Sequence, residues 1–249
     1  MEVGKQVGGP RVTAAIGTVE DRPVVQQSLP NMPDVEKRPY ISARNLELKT
    51  YQGYAYRGID LDVAPGQVAA VRGHNGSGKT ALLLTLAGRM KSTAGSLVVG
   101  GFELPRQRRK VERKVGMALF AGLNDLQDSL TAAYATAAEF ELYGRSPRRE
   151  HVADYLREWN LEDVANVRVK DLTAQKLTEL GVALAFAGKP DAVVVDDIED
   201  QMTMSQSSEI MEMLVRTART RQVAIVVGLV ERELAAMADM CVFLAKEGE

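Results

Sequence analysis

Cysteine and long apolar runs are nearly absent from this sequence. Cys241 is the single cysteine among 249 residues, which excludes an internal disulfide and fits a reducing compartment. Because Cys241 stands in the apolar run 240–244, we expect its thiol to be buried. No apolar stretch approaches the roughly 18 residues that cross a bilayer, and the N-terminus has no signal-peptide pattern. We therefore expect a cytoplasmic protein that meets a membrane only through a partner.

The sequence also has little net charge and few aromatic residues. Lys and Arg number 31, Asp and Glu number 33, and aromatics make up 5% of the chain. The resulting formal charge of −2 argues against a nucleic-acid or membrane-surface binder. The basic clusters at 106–114 and 145–149 have no interleaved aromatics, so we interpret them as solvated faces. Neither histidine, His74 nor His151, has the neighbours of a metal ligand.

A complete phosphate-loop sequence, G-x-x-x-x-G-K-T, is present. A strand pattern at 67–72 precedes it and a helix-forming run at 81–88 follows, which predicts a nucleoside triphosphate site. Backbone N–H groups of such a loop converge on phosphate oxygens. We expect Lys79 to reach the β- and γ-phosphates and the Thr80 hydroxyl to bind Mg²⁺. The predicted nucleotide-binding residues of the loop are Gly73, His74, Asn75, Gly76, Ser77, Gly78, Lys79 and Thr80.

The remainder of the chain has the pattern of an α/β domain. Residues 1–37 lack sustained periodicity and predict a disordered tail, with a docking peptide as the alternative. Residues 38–249 alternate strand and helix patterns, and 192–195 is typical of a strand buried on both faces. Residues 127–187 are predicted to be largely helical.

These motifs and their spacing resemble the ATP-binding cassette (ABC) domain of ABC transporters. The resemblance covers about residues 40–248, and the stretch 58–80 is very similar to the family's entry into its phosphate loop. Pro190, the apolar strand, Asp196 and Asp197 are similar to the family's Pro, strand, Asp and Glu. The resemblance implies a P-loop NTPase core with an antiparallel β subdomain and an inserted helical subdomain. It also implies ATP and Mg²⁺ as ligands.

The resemblance assigns roles to individual residues. Tyr51 stands where the family places an aromatic that stacks on adenine; Tyr54 and Tyr56 are alternatives, and each could instead pack a strand. Asp196 ends the strand where an acid holds Mg²⁺ through a water. Asp197 takes the place of the glutamate that polarises the attacking water, and it is one methylene shorter. Because general-base catalysis depends on hydrogen-bond geometry, hydrolysis should be slow.

Three further positions depart from the family pattern. The signature Leu-Ser-Gly-Gly-Gln, which caps the γ-phosphate from the opposite subunit, corresponds to Leu172–Lys176, where Thr173 keeps a hydroxyl. The switch histidine corresponds to Leu229, which cannot donate to a phosphate. The family's glutamine after the next strand has no clear counterpart; the residues at or near that position are Phe120, Ala121 and, several residues later, Gln127.

Three functions fit these features. The first is the ATP-binding subunit of an ABC transporter, which pairs with a second cassette, as a homodimer or heterodimer, and drives a separate transmembrane permease. The second is a weakly catalytic, ATP-dependent dimerisation or regulatory subunit. The third, a soluble ABC protein acting on ribosomes or DNA, ranks last, because that class usually carries two cassettes or a long coiled coil.

Overall fold

The computed structural model describes residues 38–245. The predicted tail at 1–37 therefore lies outside the described residues, as do residues 246–249. The strands are β1 Ile41–Thr50, β2 Gly53–Val63, β3 Val68–Gly73, β4 Ala94–Val99, β5 Phe102–Leu104, β6 Val115–Met117, β7 Ala192–Val195, β8 Ala224–Leu229 and β9 Met240–Leu244. The α-helices are α1 Lys79–Leu86, α2 Arg108–Glu112, α3 Ala132–Leu142, α4 Arg149–Glu158, α5 Ala174–Phe186, α6 Met204–Arg221 and α7 Arg232–Ala235.

The strands form two sheets of different kinds. One is a four-stranded antiparallel sheet in the order β2-β1-β4-β5. The other is a five-stranded parallel sheet in the order β6-β7-β8-β3-β9. All four residues of β7 are buried, as its β-branched sequence predicts for a central strand. The expected α/β class with an antiparallel subdomain is confirmed.

The parallel sheet separates two apolar layers. Because side chains alternate along a strand, Val193 and Val195 pack with α5 and α6, while Val194 faces α1 and the antiparallel sheet. Helices α3, α4 and α5 fall within the segment predicted to be helical at 127–187. None of the helices in residues 38–245 is long and apolar enough to cross a bilayer.

The expectation of a buried Cys241 is wrong. Cys241 lies on β9, which is an edge strand of the parallel sheet, and its side chain is exposed. An apolar run predicts burial only where both faces of the strand are covered. On β9 exposed and more buried residues alternate, and Leu244 is the fully buried member.

Candidate functional site

The phosphate loop joins the end of β3 to the start of α1. Gly78 precedes the helix with φ +94°, in the left-handed region that favours glycine. A Cβ at Gly78 would overlap the carbonyl oxygen of Ala55, so no larger residue fits without movement. The sequence folds this way because two glycines of the loop, Gly76 with φ +80° and Gly78, adopt left-handed values and let the backbone turn tightly into the helix. The N–H groups at the start of α1 then face the loop.

Lys79 is held inside the loop. Its side chain is 8% exposed, and Nζ donates to the carbonyl oxygens of Gly73 at 2.8 Å and His74 at 3.1 Å. Because carbonyl oxygens are neutral, these hydrogen bonds hold the ammonium group without neutralising its charge, which can therefore attract an anion beside it. The side chain of His74 is exposed at the rim.

Thr80 and Asp196 meet across two elements. Thr80 lies in the first turn of α1, Asp196 follows β7, and the Thr80 hydroxyl donates to Asp196 Oδ2 at 2.5 Å. Burial raises the pKa of Asp196, and the negative charge of Asp197 adds to that rise, while the hydrogen bond from Thr80 and the charge of Lys79 oppose it. The residues predicted to serve Mg²⁺ are thus together.

The donor set of this pair suits Mg²⁺. Hydroxyl and carboxylate oxygens are hard ligands, and Mg²⁺ commonly uses one or two protein groups together with substrate phosphates. Within residues 38–245 no group of three His, Cys, Asp or Glu side chains converges on a point that could hold a metal ion. A cation here would therefore depend on phosphate oxygens for the rest of its coordination.

Two cavities open beside these residues. The smaller, of about 290 Å³, is lined by Lys79, Thr80, Asp196 and Asp197 together with loop residues from Asn75 onward. The larger, of about 540 Å³, shares Thr80, Asp196 and Asp197 and extends to Leu172 and Ala174. Both therefore meet at the two carboxylates.

Asp197 has an unusual backbone conformation. Its φ is +44°, a left-handed value that Asp tolerates better than most residues because its side chain can hydrogen-bond locally. Here Asp197 Oδ1 accepts the backbone N–H of Glu199 at 3.3 Å. The exposed side chain lines both cavities, so the structure brings it to the phosphate loop.

The three candidate tyrosines lie in different environments. Tyr56 is 4% exposed and donates its hydroxyl to Thr85 at 2.7 Å, so it packs the core and cannot stack on a base. Tyr54 lines a cavity of about 350 Å³ beside Gly76 and Gly78. The guanidinium carbon of Arg57 lies 4.8 Å from the centre of the Tyr54 ring. Tyr51, in the turn between β1 and β2, is 95% exposed. Tyr51 stays the predicted adenine contact, with Tyr54 as its alternative.

Comparison with known proteins identifies the family. The model of the family described as ABC transporter matches residues 56–199, more than half of the chain. The chain belongs to the ABC transporter family.

Curated relatives of the cassette agree with this assignment. The cassette is 24% identical over 192 residues to the ABC transporter ATP-binding protein NatA of Bacillus subtilis, a match that covers 76% of this chain and 78% of that protein. It is 32% identical over 203 residues to the "Probable anion import ATP-binding protein" of Haloferax volcanii, covering 74% and 69%.

Solved structures agree in fold. The dimeric, post-hydrolysis ATP-binding cassette MJ0796 bound to ADP and Pi has a TM-score of 0.69 at 21% identity, covering 82% of this chain and 94% of that one. The protein cbiO1 of Clostridium perfringens, part of the ABC transporter complex cbiONQ, has a TM-score of 0.72 at 18% identity, covering 85% and 86%. At these identities the likeness concerns the fold.

The segment Leu172–Lys176, which aligns with the family's signature, makes hydrogen bonds within its own chain. Thr173 is the N-cap of α5, and its hydroxyl accepts the N–H of Lys176 at 3.2 Å. The side chain of Gln175 turns back to donate to Glu209 on α6 at 2.9 Å. The Thr173 side chain remains exposed. Its predicted contact with nucleotide stays a prediction.

The positions that replace the family's polar residues are mostly apolar in the cassette. Leu229 ends β8 and is fully buried, and Phe120 is 1% exposed. Ala121 lines the larger cavity but offers no polar side-chain atom, and Gln127 is exposed without lining either site cavity. Glu199 is a residue of this region that the sequence did not point to. Its carboxylate accepts hydrogen bonds from the backbone N–H groups of the two residues that follow Leu229 in the chain, Val230 and Glu231. Only its place two residues after Asp197 could have drawn attention to it.

Proposed function

We propose that this cassette binds Mg-ATP through its phosphate loop and couples ATP binding and slow hydrolysis to a separate transmembrane permease. One observation carries the proposal: the Thr80 hydroxyl lies 2.5 Å from the Asp196 carboxylate beside the loop in which Lys79 is held. These are the groups that a triphosphate and its magnesium ion require. The family assignment supplies the transporter context.

In the proposed complex the loop performs the binding. The N–H groups at the start of α1 donate to phosphate oxygens, and the Lys79 ammonium neutralises charge on the β- and γ-phosphates. Thr80 and Asp196 would hold Mg²⁺, which neutralises charge on the phosphate oxygens as it develops. Neither role needs a residue from the degenerate positions, so ATP affinity should be intact.

In this proposal Asp197 accepts the proton of the attacking water, or orients that water. Its reach is about 1.5 Å shorter than that of a glutamate. General-base assistance contributes about 10²- to 10⁴-fold, and much of it is lost when the hydrogen-bond geometry is poor. Leu229 can donate nothing to the γ-phosphate. Slow turnover follows from both positions.

A second cassette is part of the proposal. The family's cassettes enclose two nucleotides, each between one chain's phosphate loop and the other's signature segment. In a homodimer both sites would contain Asp197, Leu229 and the altered segment Leu172–Lys176. In a heterodimer with an intact cassette, one of the two sites would use the partner's catalytic residues. We therefore favour a heterodimer for rapid turnover.

Equilibrium ATP binding by the purified chain, with and without Mg²⁺, tests the proposal. Lys79→Ala should weaken ATP binding by about 10- to 100-fold, because it removes a charged hydrogen-bond donor. Lys170→Ala, which changes an exposed lysine outside the site, should leave the affinity unchanged. Equal affinities for wild type and Lys79→Ala would contradict the proposed binding mode.

Turnover then separates the transporter motor from the ATP-dependent dimerisation module. Asp197→Glu should raise the hydrolysis rate, and Asp197→Asn should abolish what remains, if Asp197 is the base. ATP binding without turnover in wild type and in Asp197→Glu, even with an intact second cassette, would favour the dimerisation module.

A further inference from the structure

Glu199 connects two loops at the edge of the parallel sheet where the nucleotide site lies. Strands β7 and β8 are neighbours, so their carboxyl ends lie side by side. The first loop, residues 196–203, carries Asp196 and Asp197 from β7 to α6. The second, residues 230–231, leads from β8 to α7.

Both oxygens of the Glu199 carboxylate are used in this connection. Oε2 accepts the backbone N–H of Val230 at 2.5 Å, and Oε1 accepts that of Glu231 at 2.8 Å. Charge-assisted bonds of this kind are roughly twice as strong as neutral ones. From the other side, Arg72 Nε on β3 donates to the carbonyl oxygen of Val230 at 3.1 Å. The second loop is thus anchored to two different elements.

Glu199 is also bonded to the predicted base. Its backbone N–H donates to Asp197 Oδ1 at 3.3 Å, across the turn in which Asp197 adopts its left-handed conformation. One residue therefore contacts Asp197 through its main chain and the second loop through its side chain. Any displacement of Glu199 would change the turn that aims the Asp197 carboxylate.

Leu229, the residue before the second loop, cannot make a side-chain hydrogen bond that would replace the connection through Glu199. Its side chain is fully buried and apolar, so it cannot hydrogen-bond to the loop that carries Asp197. The two hydrogen bonds to Glu199 form between groups of the chain itself.

We propose that Glu199 is a positioning residue that fixes the orientation of Asp197 by tying the 196–203 loop to the backbone of Val230 and Glu231. This inference rests on the proposed hydrolytic role of Asp197. Glu199 acts through Asp197 and contacts no phosphate. It should affect the catalytic rate and leave ATP affinity intact.

Hydrogen–deuterium exchange on the full chain directly tests the hydrogen bonds from Val230 and Glu231 to the Glu199 carboxylate. Glu199→Gln keeps the shape of the side chain but places an NH₂ against one of the two backbone N–H donors. Exchange at Val230 and Glu231 should become about tenfold faster or more, as expected for loss of a charged hydrogen bond. Residues 196–201 should exchange faster as well. Glu233→Gln removes the same charge from an exposed position on α7 and should change neither segment.

Steady-state kinetics supply the functional readout, measured with a second cassette whose own catalytic glutamate is replaced by glutamine, so that the remaining turnover comes from the site that contains Asp197. Glu199→Gln should lower kcat by about 10- to 100-fold, the range expected for a misplaced catalytic group, with ATP affinity within twofold of wild type. A purely structural role would lower affinity and rate together. Should Glu199→Gln fail to fold, Glu199→Asp, which keeps the charge with a shorter reach, carries the same comparison.

The inference is wrong if a folded Glu199 variant exchanges residues 196–201 at the wild-type rate. It is also wrong if both loops exchange faster in the variant but kcat does not change. If the wild-type chain shows no Lys79-dependent turnover even with that second cassette, the hydrolysis part of the proposed function is refuted instead. In that case exchange at 196–201 alone decides whether Glu199 orients the Asp197 loop.

Discussion

The hydroxyl of Thr80 and the carboxylate of Asp196 come from positions 116 residues apart and meet at 2.5 Å. Neither residue type is informative by itself. The phosphate-loop pattern makes Thr80 predictable, and the strand before Asp196 makes that carboxylate predictable, because all strands of a parallel sheet end at the same edge. Their contact, however, depends on how α1 packs on β7 and required the three-dimensional structure.

Removal of the Asp196 charge tests the magnesium role at the scale of one residue. Asp196→Asn should lower the Mg²⁺-dependent gain in ATP affinity by about 10- to 100-fold, because an acid acting through a metal-bound water is lost. ATP affinity in EDTA should change little. The measurement is a titration of ATP with and without Mg²⁺, with Asp171→Asn, a surface acid paired with Arg168, as the control. An undiminished Mg²⁺ effect in Asp196→Asn would exclude this role.

The adenine contact is a second prediction at this scale. Tyr51→Ala should weaken ATP binding by about tenfold, the usual worth of one base stacked on an aromatic ring, while Tyr51→Phe should bind normally. Affinities for ATP and for inorganic triphosphate distinguish a base contact from a phosphate contact. If Tyr54→Ala weakens ATP binding and Tyr51→Ala does not, Tyr54 is the stacking residue and the assignment of Tyr51 is wrong.

Among the elements, those with a clear periodic pattern were predictable. The run 192–195 predicts β7, and the segment predicted to be helical at 127–187 contains α3, α4 and α5. The error at Cys241 has a physical cause: an apolar run does not reveal that β9 is an edge strand. The tie through Glu199 was not predictable either, because it is a side-chain contact with the backbone of a loop 31 residues away.

Helix α6 offers a stability test at the scale of one element. Thr203 and Gln206 form a capping box at its N-terminus, in which the hydroxyl of Thr203 accepts the N–H of Gln206. Thr203→Ala should lower the free energy of unfolding by about 1 kcal/mol, measured by urea denaturation. Thr220→Ala, near the other end of α6, removes a hydroxyl that bonds within the helix and should change stability by less than about 0.5 kcal/mol. Equal effects of the two changes would contradict a special role for the cap.

For the whole molecule, the two parts of the site predict different behaviour. In the phosphate loop Lys79 donates to a backbone carbonyl and Thr80 contacts Asp196, which is the arrangement that we propose binds ATP. The positions that we propose for water activation hold Asp197, which is shorter than a glutamate, and Leu229, which is buried. A second chain with intact catalytic residues can supply what the second part lacks, whereas a second copy of this chain cannot. The central claim is therefore tight ATP binding with partner-dependent hydrolysis.

The most direct test is the rate of ATP hydrolysis at saturating Mg-ATP by the purified chain alone and after addition of an intact cassette. We expect the chain alone to bind ATP with negligible turnover, and the mixture to hydrolyse ATP faster than the sum of its components. That gain should shrink when this chain carries Lys79→Ala. Rapid turnover by the chain alone that Lys79→Ala abolishes would contradict the account, because Asp197 would then suffice as the base without a partner.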